Sequence, residues 1–297
     1  MKYKVLIIGF LALILGCNRF GNKDQKTHLK ERIISASKQY TEIIYALGAD
    51  SCLVAVDLSS TYPPEIKELP TIGYHMKLSF EGMMSVKPTL LLHKGGHYSI
   101  GPEHVLDQLE KLKVPMKTFN NKAKDISTTK KLMQEMGRFF GKPKQADSLC
   151  KKLEDDLQKA LNNHQTYADT PKVVVMHFGR AMNIYLAIGR ESVAGQMIEW
   201  AGGEIPIEKK GMERITSAEV IAKANPDVIL LTDFGYDRLG SEEMILDLPG
   251  VALTNAAKNG RIYRVEAHDL IYYGPRTGEN VLKLQALIHR KSQINEN

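Results

Sequence analysis

Apolar residues along this chain come in two rhythms. Short unbroken blocks, among them Ile33-Ile34, Leu53-Val54-Ala55-Val56, Val173-Val174-Val175-Met176 and the segment Arg261 to Val265, are bounded by glycine, proline or polar residues. Such blocks predict buried strands. Between them, apolar positions three or four apart predict helices over Gln39–Gly48, Val105–Lys113, Ser192–Trp200 and Gly278–His289. Gly48 and Gly202-Gly203 provide left-handed stops for two of these. A further strand is predicted near Pro115–Phe119. Strands alternating with helices predict parallel sheets with helices on both faces.

One pattern occurs twice. Ser79-Phe80-Glu81 is followed by Pro88-Thr89-Leu90-Leu91-Leu92, and Ser217-Ala218-Glu219 by Pro226-Asp227-Val228-Ile229-Leu230-Leu231. Each predicts a short helix capped by serine, with a carboxylate in its first turn, stopped near the proline and followed by a buried parallel strand. The duplication predicts an α/β chain of two similar Rossmann-like lobes with a ligand cleft between them. From Gln145 to His164 there is neither glycine nor proline, and Leu149, Leu153, Leu157 and Leu161 recur every fourth residue. One amphipathic helix of about 20 residues, about 30 Å long, is expected there as the connector. The expected organisation is therefore a leader over 1–16, a tether over 17–30, a first lobe over 31–142, the connecting helix over 143–168 and a second lobe over 169–297.

Composition narrows the function mainly by exclusion. The net charge of +6 is spread along the chain, which gives no support to nucleic-acid binding. Lys2 and Lys4, the apolar run Val5–Leu15 and Ile14-Leu15-Gly16-Cys17 have the layout of a secretory signal. The run is too short to span about 30 Å of hydrocarbon. It resembles the lipobox of bacterial lipoproteins, which implies export, lipidation of Cys17 and membrane anchoring on the periplasmic side of a Gram-negative cell or the outer face of a Gram-positive one. Cys52 and Cys150 form no disulfide framework or zinc spacing. No nucleophile elbow, zincin helix or phosphate loop is visible, so no catalytic residue is assigned and the chain is not expected to be an enzyme.

Two side chains stand out by chemistry and place. Tyr74 follows Gly73 in a loop ahead of the first repeat, and its phenolate oxygen suits ferric iron. His177 ends the predicted strand Val173–Met176, at the carboxyl edge of the second sheet, where ligands of open α/β sheets bind. His93 and His97 flank Lys94-Gly95-Gly96 at the corresponding edge of the first sheet.

The two helix-linked lobes resemble the bacterial substrate-binding proteins that serve ABC importers of vitamin B12, ferric siderophores and haem. Residues 31–290 carry the resemblance. Ile72-Gly73-Tyr74, Leu78-Ser79 with Glu81-Gly82, and Val175-Met176-His177 are most similar to the haem-binding branch. It implies haem as the transported ligand, Tyr74 and His177 as iron ligands from opposite lobes, and limited hinge motion. Met76 stands where that branch commonly carries arginine, which leaves Lys77 or His75 to favour the phenolate. Arg180 and Arg276 would hold propionates, the latter in a Gly-Pro-Arg segment similar to that of the haem branch. Tyr272 and Tyr273 would lie against the porphyrin face. His75, His93 and His97 would contact propionates, replace Tyr74 as ligand or bind a bare metal. Glu81 and Glu219 would dock on arginine pockets of a permease dimer. Cobalamin, a ferric siderophore or a free metal are the alternative ligands, and a chelatase-type enzyme is the alternative of a different class.

Overall fold

A computed structural model describes residues 31–74, 77–95, 103–179, 183–215 and 217–290. Cys17, His75, His97 and Arg180 lie outside them.

The first lobe is built on a four-stranded parallel sheet. Its strands are β1 (Ile33–Ser35), β2 (Leu53–Val56), β5 (Leu90–Leu92) and β6 (Met116–Lys117), in the order β2-β1-β5-β6. A two-stranded hairpin of β3 (Gly73–Tyr74) and β4 (Lys77–Leu78) stands beside it. Neighbouring residues of β1 serve opposite faces, as the period of two requires. Ile33 packs with Tyr40, Phe119, Leu132 and Leu153, and Ile34 with Leu78, Met83, Val105 and Leu109. Helices α1 (Lys38–Ala46) and α4 (Ile126–Phe139) thus cover one face, and α2 (Phe80–Ser85) and α3 (Glu103–Lys111) the other.

The connector is α5 (Pro143–His164), which begins two residues before the expected Gln145. Its buried positions are Ala146, Cys150, Leu153, Leu157 and Ala160, with Leu149 and Leu161 only partly covered. A strict four-residue repeat drifts around a helix of 3.6 residues per turn, so the covered stripe steps by three and four in turn. Leu153 belongs to the first lobe's core and Leu157 and Ala160 to the second's, so one straight element serves both.

The second sheet has the order β11-β10-β7-β8-β9, from β7 (Val173–Gly179), β8 (Ile184–Ile188), β9 (Met212–Arg214), β10 (Val228–Thr232) and β11 (Ile262–Val265). β11, β10 and β7 are parallel, whereas β8 and β9 add an antiparallel extension. That extension was not anticipated. Only residues 180–183 join β7 to β8, a connection that permits a hairpin but not a crossover. The sheet is packed by α6 (Val193–Trp200), α7 (Ala218–Ala224), α8 (Asp233–Leu239), α9 (Glu242–Leu246), α10 (Asn255–Lys258) and α11 (Thr277–Ile288). α11 runs against α5 so closely that a Cβ on Gly278 would lie 2.5 Å from the Leu153 carbonyl oxygen. The described residues from Arg32 onward form one compact unit.

The duplicated pattern folds the same way in both lobes. Ser79 and Ser217 occupy the N-caps of α2 and α7, although only the Ser79 hydroxyl accepts a bond, from the Gly82 N–H. Lys87 and Asn225 turn left-handed immediately before Pro88 and Pro226, and β5 and β10 follow.

Candidate functional site

The strands of the first sheet deliver polar groups to their carboxyl ends. β1 leads to Ser37, the N-cap of α1, so Lys38 opens that helix at the sheet edge. β2 leads to Asp57, which is fully buried. The Asp57 carboxylate accepts from the Ser60 hydroxyl at 2.7 Å, from the Ser59 N–H at 3.1 Å and from the Ser59 hydroxyl. β5 leads to His93 and Lys94. Lys122 reaches the same place, donating to the carbonyls of Lys94 at 2.9 Å and Phe119 at 3.1 Å. Burial, with Lys122 adding to it, holds the His93 imidazole down to about 4, so it is neutral at pH 7. Its Nδ1 accepts the Gly95 N–H at 3.2 Å, which places the remaining ring proton on Nε2.

Burial and the charge of Lys94 push the Lys38 ammonium down to about 8, with Asp57 opposing. A lysine whose pKa is lower folded than unfolded leaves the unfolded chain holding the extra proton between those values, so stability rises with pH across that interval. The unfolding free energy of wild type from urea melts is expected to rise between pH 8 and 10 relative to Lys38→Met, by about 2 kcal/mol. Parallel pH profiles of the two proteins would show that the ammonium is not desolvated.

Tyr74 sits on the β3–β4 hairpin, opposite Lys77 and 37% exposed. The hairpin is anchored where the Leu58 N–H donates to the Gly73 carbonyl and the Ser79 N–H to that of Ile72. Gly73 has φ 94°, and a Cβ there would stand 2.7 Å from the Lys77 carbonyl oxygen, so the turn excludes other residues. On the second lobe, His177 lies within β7, paired with Leu186, rather than ending a strand at Met176. Its Nδ1 is 3.0 Å from the hydroxyl of buried Thr232, at the carboxyl end of β10.

Arg276, Tyr272 and Tyr273 lie in a polar seam between the lobes. Arg276 donates to Glu42 of α1 at 3.0 Å and to Asp269 at 2.5 Å, and its guanidinium lies 3.5 Å from the Tyr62 ring centroid. The Tyr272 hydroxyl donates to Glu42 at 2.5 Å, and Gln39 donates to the Tyr273 carbonyl at 2.5 Å. Glu42, Tyr272 and Tyr273 are buried. Glu42 and Asp269 hold the Arg276 guanidinium firmly protonated, while burial pushes the Glu42 carboxyl up against the pull of Arg276 and Tyr272. The Arg276 guanidinium is thus paired with two protein carboxylates, and both tyrosine rings are buried. The signal for this seam was present in α1: Gln39 and Glu42 are polar, three residues apart on one face of a helix otherwise rich in core residues.

A cavity of about 730 Å³ opens behind the seam, lined by Tyr45, Asp50, Glu65, Leu149 and Glu279 among others. It lies at the far end of α1 from the strand edges that gather the cleft residues. Glu81 and Glu219 are exposed in the first turns of α2 and α7. No cluster of three metal-ligating side chains occurs among the described residues.

Known proteins resemble this chain in sequence and fold. The chain is 29% identical over 261 residues to an uncharacterised ABC transporter substrate-binding lipoprotein, YvrC, of Bacillus subtilis, a match covering 87% of this chain and 80% of that one. It is 26% identical over 251 residues to the vitamin B12-binding protein of Photorhabdus laumondii, covering 80% and 86%. The solved periplasmic haem-binding protein RhuT of Roseiflexus sp. RS-1 superposes with a TM-score of 0.77 at 30% identity, over 88% of this chain and 98% of that one. Residues 33–268 match the model of the periplasmic binding protein family, and the chain belongs to that family.

Proposed function

We propose that this protein captures haem between its lobes and hands it to a dimeric ABC permease. As a substrate-binding protein of an importer it binds its cargo without transforming it. What supports the haem reading is that Tyr74 stands on the first lobe's hairpin and His177 on the second lobe's sheet. One supplies a hard oxygen and the other an imidazole, which suits ferric iron held from both sides. Lys77, across the hairpin from Tyr74, supplies the positive charge that favours the phenolate. With Nδ1 engaged by Thr232, His177 ligates through Nε2. The 30% identity to a haem-binding protein supports the same ligand. Export and anchoring through Cys17 belong to this reading, since the Bacillus relative is a lipoprotein by name.

Absorption titration of the ligand-free mature domain with haemin tests the reading. The expected product is a high-spin or mixed-spin ferric spectrum that changes in Tyr74→Ala and changes less in His177→Ala, with haemin affinity falling at least about tenfold in the tyrosine variant. A wild-type protein that leaves the haemin spectrum unaltered would exclude haem. The similarity to the Photorhabdus protein then makes cobalamin the ligand to titrate next.

A further inference from the structure

Among the described residues, the carboxyl edge of the first sheet gathers more positive than negative charge. Lys38 and Lys94 lie there beside one carboxylate, Asp57, whose oxygens already accept from Ser59 and Ser60, and Lys122 is bound to the Lys94 carbonyl. Lys122 is held by two backbone carbonyls. Lys38 and Lys94 are both largely covered, and the ammonium of Lys38 lies 5.6 Å from the ring centroid of Tyr272, at the lobe boundary. Burying lysine charges beside one another opposes folding. A lobe built only for stability would place apolar side chains at these positions.

We infer that Lys38 and Lys94 form an anion-binding floor of the interlobe cleft and take the carboxylates of its ligand. The place suits this, because Lys38 begins α1 and the helix N-terminus adds partial positive charge on the same side. Arg276, the alternative cation from the second lobe, is already committed to Glu42 and Asp269. The groups facing Lys38 are Lys94, Asp57 and the Tyr272 ring, with Lys122 and neutral His93 beyond Lys94. An incoming carboxylate supplies the missing countercharge and makes charge-assisted hydrogen bonds to both ammoniums. The inference builds on the haem reading and sharpens it: haem presents two propionates, whereas the rim of cobalamin is largely uncharged amide.

The test combines lysine reactivity with ligand discrimination. The mature protein is acylated with acetic anhydride, alone and with haemin, haemin dimethyl ester or citrate, and modification of Lys38 and Lys94 is followed by mass spectrometry against exposed Lys151. The binding of haemin and of its dimethyl ester is then measured for wild type and for Lys38→Met/Lys94→Met. The expected result is that haemin slows acylation of both lysines. The double variant should lose at least about tenfold in affinity for haemin and less than about threefold for the ester. If haemin binds wild type and variant equally and leaves acylation unchanged, the anion floor is wrong while the haem reading stands. If haemin does not bind but citrate slows acylation of both lysines, the haem reading falls and the floor stands, for a different carboxylate ligand. If haemin does not bind and citrate leaves acylation unchanged, both readings fall. The acylation arm decides the matter even if the double variant fails to fold.

Discussion

Arg276→Met is expected to lower the unfolding free energy by about 3–5 kcal/mol, because it leaves the buried Glu42 carboxylate in the lobe seam without its cation. The cost comes from the partner left behind. Glu42 is 3% exposed, so water cannot replace the guanidinium, and the Tyr272 hydroxyl offers only one neutral donor. Asp269 loses less, since its side chain is 25% exposed and can hydrate. Removing both partners in Glu42→Leu/Arg276→Met should recover most of the loss, as apolar groups of similar volume need no desolvation. The recovery is helped by an imperfection in the native seam: Arg276 Nη2 is buried without a hydrogen-bond partner among the described residues. Urea unfolding at pH 7 of the two single variants and the double variant measures the cycle. The same proteins separate two roles for this arginine. If Arg276→Met costs less than about 1 kcal/mol but loses haemin affinity at least about tenfold, the arginine serves the ligand, as its Gly-Pro-Arg segment first implies, rather than the seam.

What could be read from the chain alone was whatever repeats or keeps a period. The two Ser-x-Glu units gave α2–β5 and α7–β10 because capping, a first-turn carboxylate and a helix-stopping proline are local devices that act within a few residues. α5 was legible for the same reason, its leucines marking the face that serves both cores. β8 and β9 escaped because their pairing is decided by the hairpin after Gly179, and Ile184-Tyr185-Leu186-Ala187-Ile188 does not distinguish by pattern an antiparallel extension from another parallel strand. Among the cleft residues, Tyr74 and His177 announce themselves through the chemistry of one side chain. Lys38, Lys94 and Asp57 do not, since each looks like ordinary surface charge until the ends of β1, β2 and β5 bring them together. Tyr272, Tyr273 and Arg276 are harder to read, since a polar, aromatic segment before a terminal helix suits a ligand face and a lobe seam equally well. Only Glu42, far away in the chain, decides between them.

Substituting both Glu81 and Glu219 by alanine is expected to abolish stimulation of the importer's ATPase and delivery of ligand, while leaving haemin affinity unchanged. The two carboxylates occupy equivalent positions of the duplicated unit, exposed in the first turns of α2 and α7. A helix terminus gains only about 0.3–1 kcal/mol from such a charge. Two symmetric, exposed carboxylates, one on each lobe, also match what a two-fold permease can read: one basic pocket on each half. Docking of this kind rests on charge pairs that steer the encounter and are desolvated on contact, so removing them slows association and leaves permease arginines unpaired. Single variants should retain part of the stimulation, because one lobe still engages. The measurement is ATPase activity of the reconstituted cognate importer with wild-type, singly and doubly substituted protein, beside haemin titrations of each. Full stimulation by the double variant would mean that the repeated glutamates serve only their own helices. A loss of haemin affinity alongside the loss of stimulation would instead connect the capping helices to the cleft, through Met83 and the core beneath Ile34 and Leu91.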